Sequence, residues 1–493
     1  MKFISTRNDK ISVTGSEAVV KGLSTEGGLF VPSEFPKITE SEWTQLADMD
    51  YAERAALIIG KYLPELADKL GEYTTAAYGK FEDGDPAPVV MLDDEIGTLE
   101  LWHGPTHAFK DIALTLLPYL MMGSKQLLGK TERTLILVAT SGDTGKAALE
   151  GFKDVEGTDI IVFYPSDGVS DLQKLQMMTQ KGENVFVAAI KGNFDDAQSA
   201  VKRIFTDKEM EKTLAERGFA LSSANSINFG RLVPQITYYI SAYLDLLNAG
   251  EIADGEKINF VVPSGNFGNI LAGYYAKQMG LPVGKLICAS NCNNVLTDFI
   301  TGGKYDIRRP FHKTTSPSMD ILISSNLERL IFELSGRDSE LTASRMKSLS
   351  ANGTYEISES ELDALKRTFY ADWTDEEEVA DTIERWFDET GYIMDTHTAV
   401  AMRVYEKYAQ ETGDESKTIV VSTASPYKFV TSVLKAIGAD KGKDGYDALI
   451  DLEEVTALPL PQSLSELPSL EKRFTTVIEN ADADKVVLDY AKK

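Results

Sequence analysis

Through the middle of the chain, short runs of β-branched and aliphatic residues alternate with longer stretches of helical period. TLILVAT (134–140) reads as a strand, followed by a glycine-rich turn and a helix opening at Lys146. IIVFYP (160–165), the helix-like DLQKLQMMTQKG and the apolar VFVAAIKG (185–192) continue the alternation, and Asn193 is placed to cap DDAQSAVKRIF. INFVVPSGNFGN (258–269) repeats strand, turn and helix start, and KLICAS and TIVVSTASP read as further strands. Strands separated by helices of ten to fifteen residues predict an α/β fold, a parallel sheet with helices on both faces. In such sheets ligands bind beyond the carboxyl ends of the strands.

The flanks differ. Residues 1–95 mix short strand patterns with the amphipathic EWTQLADMDYAERAALIIGKYL and form a candidate N-terminal domain. The rest divides into 96–250, 251–440 and a mixed, acidic tail, 441–493, expected to pack on the core. The acid-rich stretch 355–390 is expected as a helical insertion whose charges form a solvated face.

The 493 residues include 50 basic and 76 acidic side chains, a net charge of −26. That field repels phosphate backbones and anionic lipid, so nucleic-acid and membrane-surface roles are disfavoured. An anionic ligand needs a local cradle working against it. No run reaches the ~18–20 apolar residues of a bilayer span, and MKFISTRNDK lacks the apolar core of a signal peptide. Two cysteines, Cys288 and Cys292, give no disulfide framework. The expectation is a soluble, cytoplasmic protein.

Three segments carry candidate chemistry. Ser141-Gly-Asp-Thr-Gly145 and Ser264-Gly-Asn-Phe-Gly-Asn269 stand where strands end. There backbone N–H groups and a helix N-terminus converge on an anion, and glycine permits close approach. Neither turn fits the P-loop or the dinucleotide fingerprint. The third, WHGPTHAFKD (102–111), places Lys110 at the start of an apolar helical run. The positive end of a helix dipole lowers an ammonium pKa, and a partly neutral amine is what Schiff-base chemistry with an aldehyde requires. His103 and His107 have the spacing of a helical zinc pair, but Gly104-Pro105 interrupts the helix and no HExxH is present, so no metal site is expected.

Taken together, HGPTHAFKD, SGDTGKAAL, NSINFGR (225–231), PSGNFGN and STASPYKF, with FISTRNDKISVTGSEAVVKGLSTEGGLFVP at the N-terminus, closely resemble the motifs of the threonine synthase family, in the same order from residue 3 to about 430. The resemblance implies a pyridoxal-phosphate enzyme of fold type II, with two open, parallel-rich sheets covered by helices, an N-terminal domain and a helical insertion. It implies that Lys110 carries the cofactor and shuttles protons. Backbone amides of Gly265, Asn266, Phe267, Gly268 and Asn269 hold the cofactor phosphate, and the Thr423 hydroxyl meets the pyridine nitrogen. Ser141 and Thr144 grip the substrate carboxylate. Asp143 faces the cofactor's 3′ oxygen, so one of those two groups keeps a proton.

For a substrate phosphate, Ser226 is expected to cap the following helix and Arg231 to offer a fork, with Asn228 assisting. Lys428 is a further basic candidate, and His397 matches a family position. The implied reaction converts O-phospho-L-homoserine and water to L-threonine and phosphate, in a monomer or homodimer. The alternatives are a dehydratase-like relative, whose lysine neighbourhood differs, and an inactive homologue that binds a phosphorylated ligand.

Overall fold

The computed structural model describes residues 1–81, 84–140, 142–167 and 169–492. Its architecture rests on two open sheets. The larger has the strand order Phe369–Trp373, Val283–Ser290, Ile258–Pro263, Thr418–Ser422, Ile96–Glu100, Val89–Met91, all parallel except the last, which runs antiparallel to its neighbour. The smaller, fully parallel, has the order Val477–Ile478, Val185–Ile190, Thr158–Pro165, Arg133–Ala139, Phe219–Ser222. Thr158–Pro165 and Ile258–Pro263 are buried along their whole length, because helices cover both faces.

Each sheet has a point where the chain reverses its direction of travel across the strands. From Ile258–Pro263 the chain moves outward to Val283–Ser290 and Phe369–Trp373, then returns to the opposite side as Thr418–Ser422. From Arg133–Ala139 it moves outward through two strands, then places Phe219–Ser222 on the other side. A crevice opens at such switch points, beyond the strand carboxyl ends. The two glycine-rich turns, after residues 263 and 139, stand at these two crevices.

The N-terminal segment forms an antiparallel three-stranded sheet with Lys2–Ser5 between Asn8–Thr14 and Phe30–Pro32. Capping boxes start three of its helices: Thr14 with Glu17 before Gly15–Lys21, Thr39 with Glu42 before Glu40–Asp48, and Asp50 with Glu53 before Tyr51–Tyr62. The segment shares its core with the rest of the chain. Phe3 and Tyr62 both pack on Phe229, at ring-centroid distances of 4.6 and 5.6 Å. Phe229 opens the 21-residue helix Phe229–Ala249, which is buried along most of its length.

The acidic stretch around 355–390 does contain helices, Glu359–Thr368 and Glu376–Thr390, but it is more than an insertion. Between them Phe369–Trp373 joins the larger sheet as an edge strand, burying Phe369 and Ala371 while Trp373 stays partly exposed. The tail supplies the edge strand Val477–Ile478 of the smaller sheet. No helix among the described residues is long and apolar enough to cross a membrane.

Candidate active site

A cavity of about 550 Å³ opens between the two switch points. Lys110, Thr144, Ser226, Arg231, Gly265, Asn266, Phe267, Gly268, Asn269 and Thr423 all line it, with His397 and Ser318. Asp143 and Asn228 are not on its wall, and Ser141 lies outside the described residues.

Lys110 is placed by two sets of bonds. Buried Asp111 accepts the Thr106 backbone N–H at 2.8 Å and the Thr106 hydroxyl at 2.6 Å, which curls the GPTHAFKD loop around its carboxylate. A Cβ on Gly104 would stand 2.6 Å from that carboxylate, so the curl admits only glycine there. Burial raises the Asp111 carboxyl to about 6, against the pull of the Thr106 bonds. The loop is also stitched to the end of Thr418–Ser422: Phe109 N–H donates to the Thr423 carbonyl at 2.9 Å, and Ala108 bridges Ala424. That stitching brings Lys110 and Thr423 to one cavity.

The Lys110 ammonium is held below its ordinary pKa, chiefly by burial, with the cations Lys428 and Arg231 adding to the effect while Asp143 and Asp111 oppose it. The helix it starts, Lys110–Leu114, has five residues. Lys110 Nζ lies 3.5 Å from Ser318 Oγ. The Ser318 backbone N–H donates to His397 Nε2 at 3.1 Å, and His397 Nδ1 faces buried Asp395 at 2.7 Å. An acceptor role at Nε2 assigns the His397 proton to Nδ1. His103 and His107 do not meet: the first bonds Glu100, the second Ser463.

The turn after residue 263 has the character of an anion cradle. The helix Gly268–Met279 begins without any side-chain cap, and Phe267, its N-cap, adopts φ 63°. An L-residue in the left-handed region costs about 1–3 kcal/mol and persists where surrounding structure imposes it. A Cβ on Gly265 would stand 2.9 Å from the Ser318 carbonyl. Asn269 accepts from Tyr238 and Tyr239 at 2.5 and 2.7 Å, leaving its buried Nδ2 without a partner among the described residues. The other turn is built around Thr140 Oγ1, which accepts from the N–H groups of Gly142 and Gly145, each at 3.0 Å.

Two expectations are corrected here. Asn228, not Ser226, caps Phe229–Ala249: its Oδ1 accepts from Gly230 N–H at 2.8 Å and its Nδ2 donates to the Val19 carbonyl at 2.9 Å. Its amide is committed to the fold, and Ser226 is left facing the cavity. Lys428 is not a free phosphate ligand either. Its Nζ lies 2.8 Å from Asp143 Oδ1, both side chains nearly buried, in an ion pair whose angles fall outside hydrogen-bond geometry. Burial pushes the Asp143 carboxyl up, but Lys428 and Lys110 outweigh it and hold the group well below the usual carboxylate range.

A depressed carboxylate contributes stability above its unfolded pKa, near 3.9, that is lost as pH falls. Lys428→Met strands the Asp143 charge and is expected to cost about 3–5 kcal/mol at pH 7. The sign then reverses, because a buried carboxyl with a raised pKa loses stability as pH rises through the acid range. Melting temperatures at pH 5 and pH 8 check this: the variant's deficit widens at pH 8. An equal deficit at both values contradicts it.

Arg231 offers Nη1 to the Ala224 carbonyl at 2.7 Å, while its buried Nε has no partner among the described residues. Burial lowers the guanidinium to about 10. Among the described residues no carboxylate pairs with it. A buried, uncompensated cation and an orphaned amide on one cavity, beside an uncapped helix end, are the donor set of a site for phosphorylated anions. With an amine of lowered pKa, they fit pyridoxal phosphate.

The sheets, switch points and lysine are thus those of the pyridoxal-phosphate-dependent enzyme fold, and comparison with known proteins agrees. Residues 99–424 match the family model of pyridoxal-phosphate-dependent enzymes, residues 2–78 that of the threonine synthase N terminus, and residues 398–487 that of the threonine synthase C-terminal region. The chain belongs to the threonine synthase family, whose cofactor is pyridoxal phosphate. It is 36% identical over 473 residues to threonine synthase of Pseudomonas aeruginosa, covering 95% of this chain and 97% of that protein. It superposes on PLP-bound threonine synthase from Brucella melitensis with a TM-score of 0.89 at 37% identity, each chain covered fully. It is also 42% identical over 455 residues to human threonine synthase-like 1, covering 88% of this chain; that alignment takes in 60% of the human protein's length.

Ser318 and Asp395 escaped the sequence reading. DTHTAV carried a signal for Asp395, since an acid just before a helical run is an N-cap candidate. Here the cap also holds the histidine ring.

Proposed function

We propose that the protein converts O-phospho-L-homoserine and water to L-threonine and phosphate, and does so in the cytoplasm, the compartment its two free cysteines suggest. The observation that carries this reading is Arg231: a buried guanidinium without a carboxylate partner among the described residues, on the same cavity as Lys110. Enzymes that act on unphosphorylated serine or threonine have no use for a second anion cradle.

In this reading Lys110 would hold the cofactor through its aldehyde, the backbone amides of residues 265–269 would hold its phosphate, and the Thr423 hydroxyl would meet its ring nitrogen. Bound there, pyridoxal phosphate supplies an electron sink for carbanions beside the amino-acid nitrogen. A hydroxyl at the ring nitrogen makes a milder sink than a carboxylate would. Thr144 and the amides of its turn orient the substrate carboxylate. Ser226 and Arg231 hold the γ-phosphate, so that the Cγ–O bond lies between two fixed ends.

The net chemistry removes protons from Cα and Cβ, breaks Cγ–O, then adds a proton at Cγ, hydroxide at Cβ and a proton at Cα. Lys110, with its lowered pKa, is suited to accept and return the α and β protons. Phosphate kept on its cradle after leaving would serve as the base that activates the attacking water. Ser226→Ala loosens that cradle and is expected to divert about a tenth or more of the product to 2-oxobutyrate, given the ~1 kcal/mol of one hydrogen bond. Unchanged partitioning removes phosphate from the base role.

A substrate panel tests the assignment. O-phospho-L-homoserine is expected to turn over, while L-homoserine, L-serine and L-threonine stay inert. Release of 2-oxo acids from serine or threonine overturns it in favour of a dehydratase.

A further inference from the structure

Asn326 stands between the two anion cradles. Its backbone N–H donates to the Asn266 carbonyl at 3.1 Å, on the cofactor side, and its side-chain Nδ2 reaches the Ser226 carbonyl at 3.4 Å, on the substrate side. A Cβ on Gly268 would lie 3.2 Å from that Nδ2, so the glycine also makes room for the amide. Asn326 itself is fully buried.

Behind it lies Arg329, on the helix Leu327–Leu334 that Asn326 precedes. It is the largest fully buried side chain among the described residues. Its fork spans three segments: Nη1 donates to Asn326 Oδ1, Nη2 to the Ile227 carbonyl at 2.6 Å, and Nε to the Phe30 carbonyl at 3.0 Å. Every acceptor is neutral, and among the described residues no carboxylate pairs with it. The neighbouring Glu328 is already engaged by Arg7 at 2.7 Å and by the Thr6 hydroxyl at 2.5 Å.

A guanidinium taken out of water and offered only amide oxygens is a costly arrangement. Packing alone is better served by methionine or leucine. The placement makes sense if anions arrive nearby, since Ile227 adjoins Ser226 and Asn326 holds the 264–269 turn. In a protein of net charge −26, two phosphates in one cavity need fixed cations close by.

We propose that Arg329 and Asn326 form a positioning clamp that sets the separation of the two phosphate cradles and places a fixed positive charge behind both. The clamp rests on the reading that both loops bind phosphate. It touches neither ligand; it acts through the carbonyls of Asn266, Ser226 and Ile227. Its importance follows from the reaction geometry, because misplacement of a reacting bond by about 1 Å can cost 10²-fold in rate. A point ammonium cannot reproduce a fork that spans three segments, so charge and spacing are separable.

The test uses the holoenzyme and three variants. Arg329→Met removes charge and spacing, Arg329→Lys keeps charge alone, and Glu328→Gln loosens the N-terminal segment from the same helix without touching the cradles. Inorganic phosphate affinity is read by calorimetry, cofactor retention by its rate of release on dialysis, and catalysis as KM and kcat separately. Arg329→Met is expected to weaken phosphate about tenfold and to speed cofactor release. Arg329→Lys is expected to restore phosphate affinity to within about threefold while kcat stays down about tenfold. Glu328→Gln is expected to lower the melting temperature and leave phosphate affinity alone.

If Arg329→Met does not fold, Asn326→Ser carries the test. It keeps the backbone bond to Asn266 and severs the side-chain link, and is expected to weaken phosphate several-fold. The clamp is overturned if folded Arg329→Met, or Asn326→Ser in its place, binds phosphate and keeps cofactor as the parent does. It is equally overturned if Glu328→Gln reproduces the same losses. Binding is read without turnover, so a chain that makes no threonine yet shows these changes keeps the clamp and loses the proposed reaction.

Discussion

Lys110→Ala is expected to fold with the melting behaviour of the parent and to lose threonine formation by about 10³-fold or more. The amine is half-buried on the cavity wall, makes one long hydrogen bond, 3.5 Å to Ser318, lies over the Phe109 ring, and enters no ion pair among the described residues. Little of the fold hangs on it. The proposed chemistry, by contrast, asks it to hold the cofactor and to carry protons at two carbons, and a positioned acid–base group alone is worth about 10²–10⁴-fold. Threonine assays on purified variant, with circular dichroism as the folding control, check both halves. Retention of more than about a tenth of parental activity contradicts the assigned role.

Arg231→Met is expected to raise KM for O-phospho-L-homoserine by about 10²-fold or more, and at the same time to leave the protein as stable as before or more so. The first effect follows from losing a charge-assisted contact to phosphate, for which truncation costs about 2–5 kcal/mol. The second follows from what the free protein lacks. Arg231 is 4% exposed, its Nε has no partner, and burial already depresses its pKa. Replacing a buried, uncompensated charge with a well-packed apolar side chain is often neutral or stabilising by about 1–4 kcal/mol. A purely structural arginine behaves in the opposite way, losing stability with KM unchanged. Steady-state kinetics and thermal melts on the same preparation separate the two.

Much of the scaffold was legible because parallel strands buried on both faces are continuous apolar runs. TLILVAT, IIVFYP, VFVAAIKG and INFVVP all correspond to strands of the two sheets. Phe369–Trp373 was not legible. It is an edge strand with Asp372 inside it and acidic helices on either side, so its period is masked by charge that an edge tolerates. Two-residue Val477–Ile478 is too short to show a period at all.

In the site, the glycine-rich turns at strand ends and the lysine neighbourhood were readable because each is a local requirement of backbone geometry. Pairings across the chain were not. Lys428 belongs to Asp143, Asp395 orients His397, and Asn228 caps a helix while bonding Val19, and only the folded chain brings these partners together. The Lys110 pKa illustrates the difference. A helix dipole was the local cause on offer, whereas burial and two cations distant in sequence also lower it.

The central claim is that a phosphorylated amino acid reacts at a lysine-held cofactor with controlled addition of water. Its most direct test is the product stoichiometry of the holoenzyme on O-phospho-L-homoserine, with threonine, phosphate and 2-oxobutyrate measured in the same samples over time. Threonine and phosphate in equal amounts, with little 2-oxobutyrate, is the predicted result. Phosphate accompanied mainly by 2-oxobutyrate, or no release of phosphate from protein that carries the cofactor's visible absorbance, would contradict it.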